Sequence, residues 1–215
     1  MPRGPSPRRG AKSARPRKNL PQSKSRSVEH LRADTRVNSS DSPPASKLAA
    51  GLYIVATPIG HAADITIRAL QVLDTADFIA CENIRHTGKL LARYGITTRR
   101  TSYNDINAPR VRPRLLRLLQ NGSTIALVCD AGTPLISDPG YRLVRETIAA
   151  GISIIPIPGP SAPLAALVVS GLPSNRFLFV GFLPSTGVAR INTLHELCDL
   201  PSTLLFLESP RRLAA

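Results

Sequence analysis

The 215-residue chain has no tryptophan, one methionine, three cysteines and only 4% aromatic residues. So few aromatics argue against a nucleic-acid surface built on base stacking, as in RRM or OB-type modules. Cys81, Cys129 and Cys198 are far apart and form no CxxC pair. That spacing suggests neither a disulfide framework nor a structural zinc site, and no metal site is expected. Cys81 and Cys129 sit in apolar runs and read as reduced core thiols of a cytoplasmic protein. The longest strongly apolar run, Leu164 to Val169, is far below the 18 or more residues of a membrane span. The chain opens on Pro and Arg without an apolar stretch, which excludes a secretory signal at this start. No GxGxxG follows an apolar run, and Thr87-Gly88-Lys89-Leu90 lacks the spacing and final Ser/Thr of a P-loop.

What the chain has in excess is positive charge, +14 formally, from 28 Lys+Arg against 14 Asp+Glu. Residues 1–48 carry +9 of it, and residues 49–215, with 16 basic and 11 acidic side chains, carry +5. The first segment is rich in Pro, Ser, Arg and Lys and lacks periodic apolar residues, so it reads as a disordered basic tail. It could serve as an RNA-binding arm or, less fittingly given its prolines, as a transit peptide.

From Ala49 onward the pattern changes to short apolar runs alternating with helical periodicity. Strands are expected at 52–56, 78–81, 101–103, 124–129, 153–157, 177–180 and 203–207. Helices are expected at 65–73 with Asp64 as its cap, then at 86–94, 112–121, 141–150, 163–169 and 189–198. Alternating strands and helices imply an α/β fold with a parallel sheet covered on both faces. The expected organisation is a tail (1–48), an N-terminal α/β domain (49–173) and the incomplete start of a second α/β domain (174–215). In such folds ligands bind beyond the carboxyl ends of the strands. Three loops there mix Gly with Pro: 56–60, 130–140 and 156–162. Gly admits close backbone approach and Pro stiffens the loop, which suits a neutral or cationic ligand with an adenine and ribose better than a triphosphate; ordinary βα turns are the other reading.

The strings Leu52 to Gly60 (LYIVATPIG), Asp130 to Leu143 (DAGTPLISDPGYRL) and Ile157 to Ala162 (IPGPSA) resemble the ribosomal RNA small subunit methyltransferase I family. So do Ala80-Cys81-Glu82, Arg85-His86-Thr87 and Glu208-Ser209-Pro210. The family belongs to the tetrapyrrole methylases. The resemblance covers the chain from about Gly51 and implies two α/β domains with S-adenosylmethionine in the cleft between them. It implies 2′-O-methylation of a cytidine in 16S rRNA within the small ribosomal subunit, and often a homodimer. Carried over, Asp130, Gly132, Thr133, Pro134, Leu135, Ile136, Gly159, Pro160, Ser161 and Ala162 would hold the methyl donor. Pro58, Gly60 and Tyr103 would face the substrate.

A ribose hydroxyl is weakly acidic, so a base or charge-stabilising group is needed beside it. Glu82, Arg85, His86 and Asp64 are the catalytic candidates, with a structural Glu82–Arg85 pair as the alternative for the first two. Family members continue beyond residue 215, so a truncated, inactive remnant is one other reading. A small-molecule methylase acting on a tetrapyrrole-like ring is another. The arginines of the 112–121 helix are either a solvated face or phosphate contacts.

Overall fold

The computed structural model describes residues 47–213. The expected disordered tail lies outside them, except for Lys47 and Leu48. Strands β1 (Gly51–Val55), β2 (Phe78–Cys81), β3 (Arg100–Ser102), β4 (Thr124–Val128) and β5 (Ile154–Ile157) form one sheet. Its order is β3-β2-β4-β1-β5, and every neighbouring pair is parallel. Between the strands run helices α1 (Ile67–Thr75), α2 (Ile84–Arg93), α3 (Ala108–Gln120) and α4 (Tyr141–Ala149).

Side chains alternate along each strand, so each face of the sheet collects its own core. On one face Tyr53, Val55, Ile79, Cys81 and Val128 pack with Ala69, Val72 and Leu73 of α1 and Leu91 of α2. On the other, Leu52, Ala80, Ile125 and Leu127 pack with Leu115 and Leu119 of α3 and Leu143 of α4. The chain leaving β1 therefore runs to one face and the chain leaving β4 to the opposite face. These two strands are neighbours. A crevice opens between their departing loops, which is where α/β sheets bind ligands.

A second element follows. Helix α5 (Ala162–Val169) leads to β6 (Phe177–Phe182), α6 (Gly187–Leu197) and β7 (Thr203–Leu207). β6 and β7 pair in parallel as a separate two-stranded sheet, with an irregular register between Phe179 and Gly181. The α/β class and the parallel sheet follow the sequence pattern closely.

Three element starts differ from the sequence reading. Asp64 does not cap α1. It ends a short 3-10 turn (Ala62–Asp64), and Thr66 takes the cap, its hydroxyl accepting from the Ala69 N–H at 3.0 Å. Asn83 starts α2 two residues early by accepting from the N–H groups of Arg85 and His86. Helix α3 begins at Ala108 despite Pro109 and Pro113. Pro109 sits in the first turn, where no N–H partner is needed, so only Pro113 removes an intrahelical bond.

At the opposite end of the sheet, the Asp77 carboxylate accepts from the Thr124 N–H (2.7 Å) and hydroxyl (2.8 Å). This clamps the start of β2 to the start of β4. The backbone bond from Thr124, then the hydroxyl bond, hold the Asp77 carboxyl below its usual range. Asp77→Ala is expected to cost about 1 kcal/mol at pH 7. A lowered folded pKa means the stabilisation is present above the ordinary carboxylate value and fades as pH falls through the lowered one. Denaturant midpoints of both proteins at pH 7 and in acid should therefore converge on acidification.

Candidate active site

The loops after β1, β4 and β5 meet at the crevice. Thr57 and Gly132 form an antiparallel bridge, each N–H donating to the other's carbonyl at 2.8 and 3.0 Å. The Thr57 hydroxyl donates to the Cys129 carbonyl at 3.2 Å. The Thr133 hydroxyl donates to the Pro160 carbonyl at 3.0 Å, joining the third loop. At Gly159 a Cβ would lie 2.9 Å from the Cβ of Ala56, so only glycine allows this approach of the first and third loops.

The β4 loop is built against local backbone preference. Leu135 and Ser137 both adopt left-handed conformations, with φ of 73° and 64°. Such residues are uncommon and cluster at ligand sites. Leu135 packs into the core beside α4, and Pro134 is fully buried. These two expected cofactor contacts therefore shape the loop from beneath. Gly181 of β6 sits against Ser137, where a Cβ would come within 3.0 Å of its hydroxyl oxygen, so the irregular strand brings the second sheet onto the loop.

Two clefts flank this loop. The inner one, about 190 Å³, is lined by Gly132, Thr133, Ile136, Ser137, Asp138, Ser161 and Ala162, closed by Phe182 and Leu207 of the second sheet. The outer one, about 330 Å³, is lined by Pro58, Ile59, Gly60, His86, Asp130 and its neighbours. Ala131 borders both. The structure thus gathers Gly132, Thr133, Ile136, Ser161 and Ala162 at one cleft and Pro58, Gly60, His86 and Asp130 at the other. Gly159 and Pro160 line a third, open hollow with Asp64. Tyr103 is not brought to a cleft: it is 2% exposed in the core, with its hydroxyl against Arg112. Sequence reading missed Ser137, Asp138, Phe182 and Leu207. Ser137 and Asp138 lie within the quoted loop string, but nothing in the local pattern marks Phe182 and Leu207, which only the tertiary fold brings in.

Four carboxylates converge on this edge. Burial raises the Glu82 pKa above its ordinary value, and the charges of Asp130, Asp138 and Asp105 add to the rise. A hydrogen bond from the Asp130 backbone N–H partly offsets it. Burial also raises Asp138, against a bond from the Cys129 thiol, while Asp130 and Asp105 again add. One oxygen of Asp130, Oδ1, is buried without a hydrogen-bond partner among the described residues. The Cys129 thiol is pushed strongly upward, by burial first and then by Asp138, which disfavours its reactive thiolate. Neither Glu82 nor Arg85 is in an ion pair among the described residues, where Arg112–Glu146 and Arg212–Glu208 do pair, so the Glu82–Arg85 pair does not form. Arg85 and His86 are exposed at the start of α2.

A parallel α/β sheet, glycine- and proline-lined loops at its carboxyl edge and a second sheet closing the cleft define the class. The chain belongs to the tetrapyrrole methylase family: the description Tetrapyrrole (Corrin/Porphyrin) Methylases matches residues 51–215. It is 58% identical over 171 residues to ribosomal RNA small subunit methyltransferase I of Mesorhizobium japonicum, covering 80% of this chain and 58% of that protein. It is 52% identical over 162 residues to the protein of the same name from Escherichia coli O157:H7, covering 75% and 57%. The chain thus spans less than three fifths of these relatives' length. The crystal structure of a diphthine synthase shares the fold, with a TM-score of 0.55 at 20% identity over 74% of this chain and 65% of that one.

Proposed function

We propose that this chain carries the cofactor half of an S-adenosylmethionine-dependent methyltransferase acting on the 2′-hydroxyl of a cytidine in 16S rRNA. The observation that carries the reading is the pair of clefts meeting at Ala131. One is suited to a methyl donor and the other to the acceptor. The resemblance carried by the 130–143 segment, and the named relatives, support the same assignment.

The inner cleft fits the donor's chemistry. Thr133, Ser137 and Ser161 offer hydroxyls, Ile136, Ala162, Phe182 and Leu207 offer apolar walls, and Asp138 offers a carboxylate toward a cation. S-adenosylmethionine supplies an electrophilic methyl group on a sulfonium. Gly132 lets the backbone reach the ligand, while Pro134 and Leu135 hold the loop that Thr133 and Ile136 project from. Pro58 and Gly60 shape the wall of the outer cleft and would orient the ribose there. Glu82 lines neither cleft itself, but its carboxylate accepts from the backbone N–H of Asp130, which lines the outer one; made more basic by burial and by its carboxylate neighbours, it is the first candidate to take the hydroxyl proton. His86 lines the outer cleft and is the second candidate, whereas Asp64 lines the open hollow with Gly159 and Pro160 and Arg85 lines none of the three.

The same reading makes the protein a cytoplasmic one that works on the small ribosomal subunit and pairs with a second copy. Among the described residues no helix is long and apolar enough to cross a membrane. The deciding experiment is calorimetric titration of the 215-residue chain with S-adenosylmethionine, followed by tritiated methyl transfer to small subunits that lack the modification. Binding and 2′-O-labelling of a cytidine are expected. A folded chain that binds no donor would end the proposal.

A further inference from the structure

The body's charge excess is concentrated on two helices. Helices α3 and α4 carry six arginines, Arg110, Arg112, Arg114, Arg117, Arg142 and Arg145, and one acid, Glu146. Their net charge equals the +5 of the whole segment 49–215, so the remainder of that segment is neutral. The two helices pack side by side over one face of the sheet, and a cleft of about 420 Å³ opens between them. Arg112, Arg142, Arg145 and Glu146 line it.

The single acid there is already engaged. Arg112 Nε lies 2.7 Å from the Glu146 carboxylate, and the Arg112 side chain is only 14% exposed. Arg112 also holds the buried Tyr103 hydroxyl, which ties it to the core. Arg142 and Arg145 are exposed one turn apart on α4, and neither belongs to an ion pair among the described residues. The Arg145 guanidinium lies 5.7 Å above the Tyr141 ring, which restrains its direction. Tyr141 directly follows the loop that carries Ser137 and Asp138, so this face begins where the inner cleft ends.

We infer that the α3–α4 face is an RNA-docking surface that binds phosphodiester groups flanking the nucleotide being modified. Planar guanidinium groups held by packing match phosphate oxygens better than free point charges do. With one aromatic ring, used to hold Arg145, the face reads backbone and not bases. It would raise affinity for the strand without touching the reacting atoms. This inference rests on the reading of the clefts as an RNA methyltransferase site.

The test compares the full chain with R142A/R145A and R142K/R145K, using a fluorescein-labelled 20-nucleotide single-stranded RNA over a salt series. The basic N-terminal segment is present in all three, so differences report the helices alone. The alanine pair is expected to bind about tenfold more weakly at 150 mM salt. Its log K against log salt should be shallower by about 1.4, the value for two lost single-strand phosphate contacts. The lysine pair should keep the slope and recover only part of the affinity, and titrated S-adenosylmethionine should bind all three alike. Unchanged RNA affinity and slope in the alanine pair would overturn the inference. So would an alanine pair that loses only polyglutamate binding, since the face would then serve an acidic protein. If the wild type shows no methyl transfer but its RNA binding still depends on these arginines, the cleft reading fails and the RNA face stands.

Discussion

Glu82→Gln is expected to cut methyl transfer at least a hundredfold while leaving S-adenosylmethionine affinity within about twofold. Removing a positioned general base typically costs a factor of about 10² to 10⁴. The side chain keeps its shape, so the change isolates the proton acceptor. A second readout separates a base from a packing residue. Burial, then the nearby Asp130, Asp138 and Asp105, raise the Glu82 carboxyl above its ordinary value. A carboxyl whose folded pKa is raised favours the folded state below its unfolded value, and loses that contribution as pH rises through the folded value. As Glu82 ionises above the ordinary carboxylate value it therefore weighs against stability. The glutamine variant should melt higher than wild type at pH 7, with the difference vanishing near about pH 4. Transfer in the wild type should rise with pH through the raised carboxyl value. Retained transfer in the variant, with a melting point unmoved at pH 7, would hand the proton to His86 or to solvent.

Gly159→Val should damage the proposed donor site more than any change to the clefts' polar side chains. A single Cβ at this position would already sit 2.9 Å from the Ala56 Cβ. That neighbour is short and attached to the end of β1, so it cannot rotate away. The loops after β1 and β5 must separate, and the Thr133–Pro160 bond moves with them. S-adenosylmethionine affinity is expected to fall tenfold or more, and overpacking should cost about 1–3 kcal/mol of stability. Gly187→Ala, where a Cβ meets nothing within 4 Å, is the matched control and should be neutral. Titration calorimetry and thermal melts of both variants decide the matter. An unaltered donor affinity in the valine variant would mean that the close approach has no part in the site.

Much of this was legible in the sequence because it depends on local chemistry. Buried parallel strands are nearly all apolar, so 124–128 and 52–55 could be placed to within a residue. The three Gly-Pro loops were located at strand ends because both residue types leave a plain mark on the backbone. Side-chain direction was less accessible. Tyr103 and Pro134 look like site residues beside their neighbours, yet the pleat and the loop's left-handed turn send both into the core. Asp64 lost the cap to Thr66 because a short turn intervenes, although Asp is the stronger cap type of the two. Phe182 and Leu207 reach the inner cleft from strands formed some fifty to seventy residues after the β4 loop, a relation no local pattern encodes. The convergence of Glu82, Asp105, Asp130 and Asp138 is likewise a property of strand order, which brings the ends of β2, β3 and β4 together.

The reciprocal hydrogen bonds between Thr57 and Gly132 join two loops that the chain order separates by more than seventy residues. Each loop has thereby surrendered its freedom when the sheet folds, before any ligand arrives. Binding then need not supply the ordering of either loop, and more of the contact energy remains as affinity. The same tie makes the two clefts mechanically one object. A ligand that displaces the β4 loop in the inner cleft would draw Pro58 and Gly60 of the outer cleft with it, so on the proposed reading donor and acceptor occupancy would be coupled through two backbone bonds.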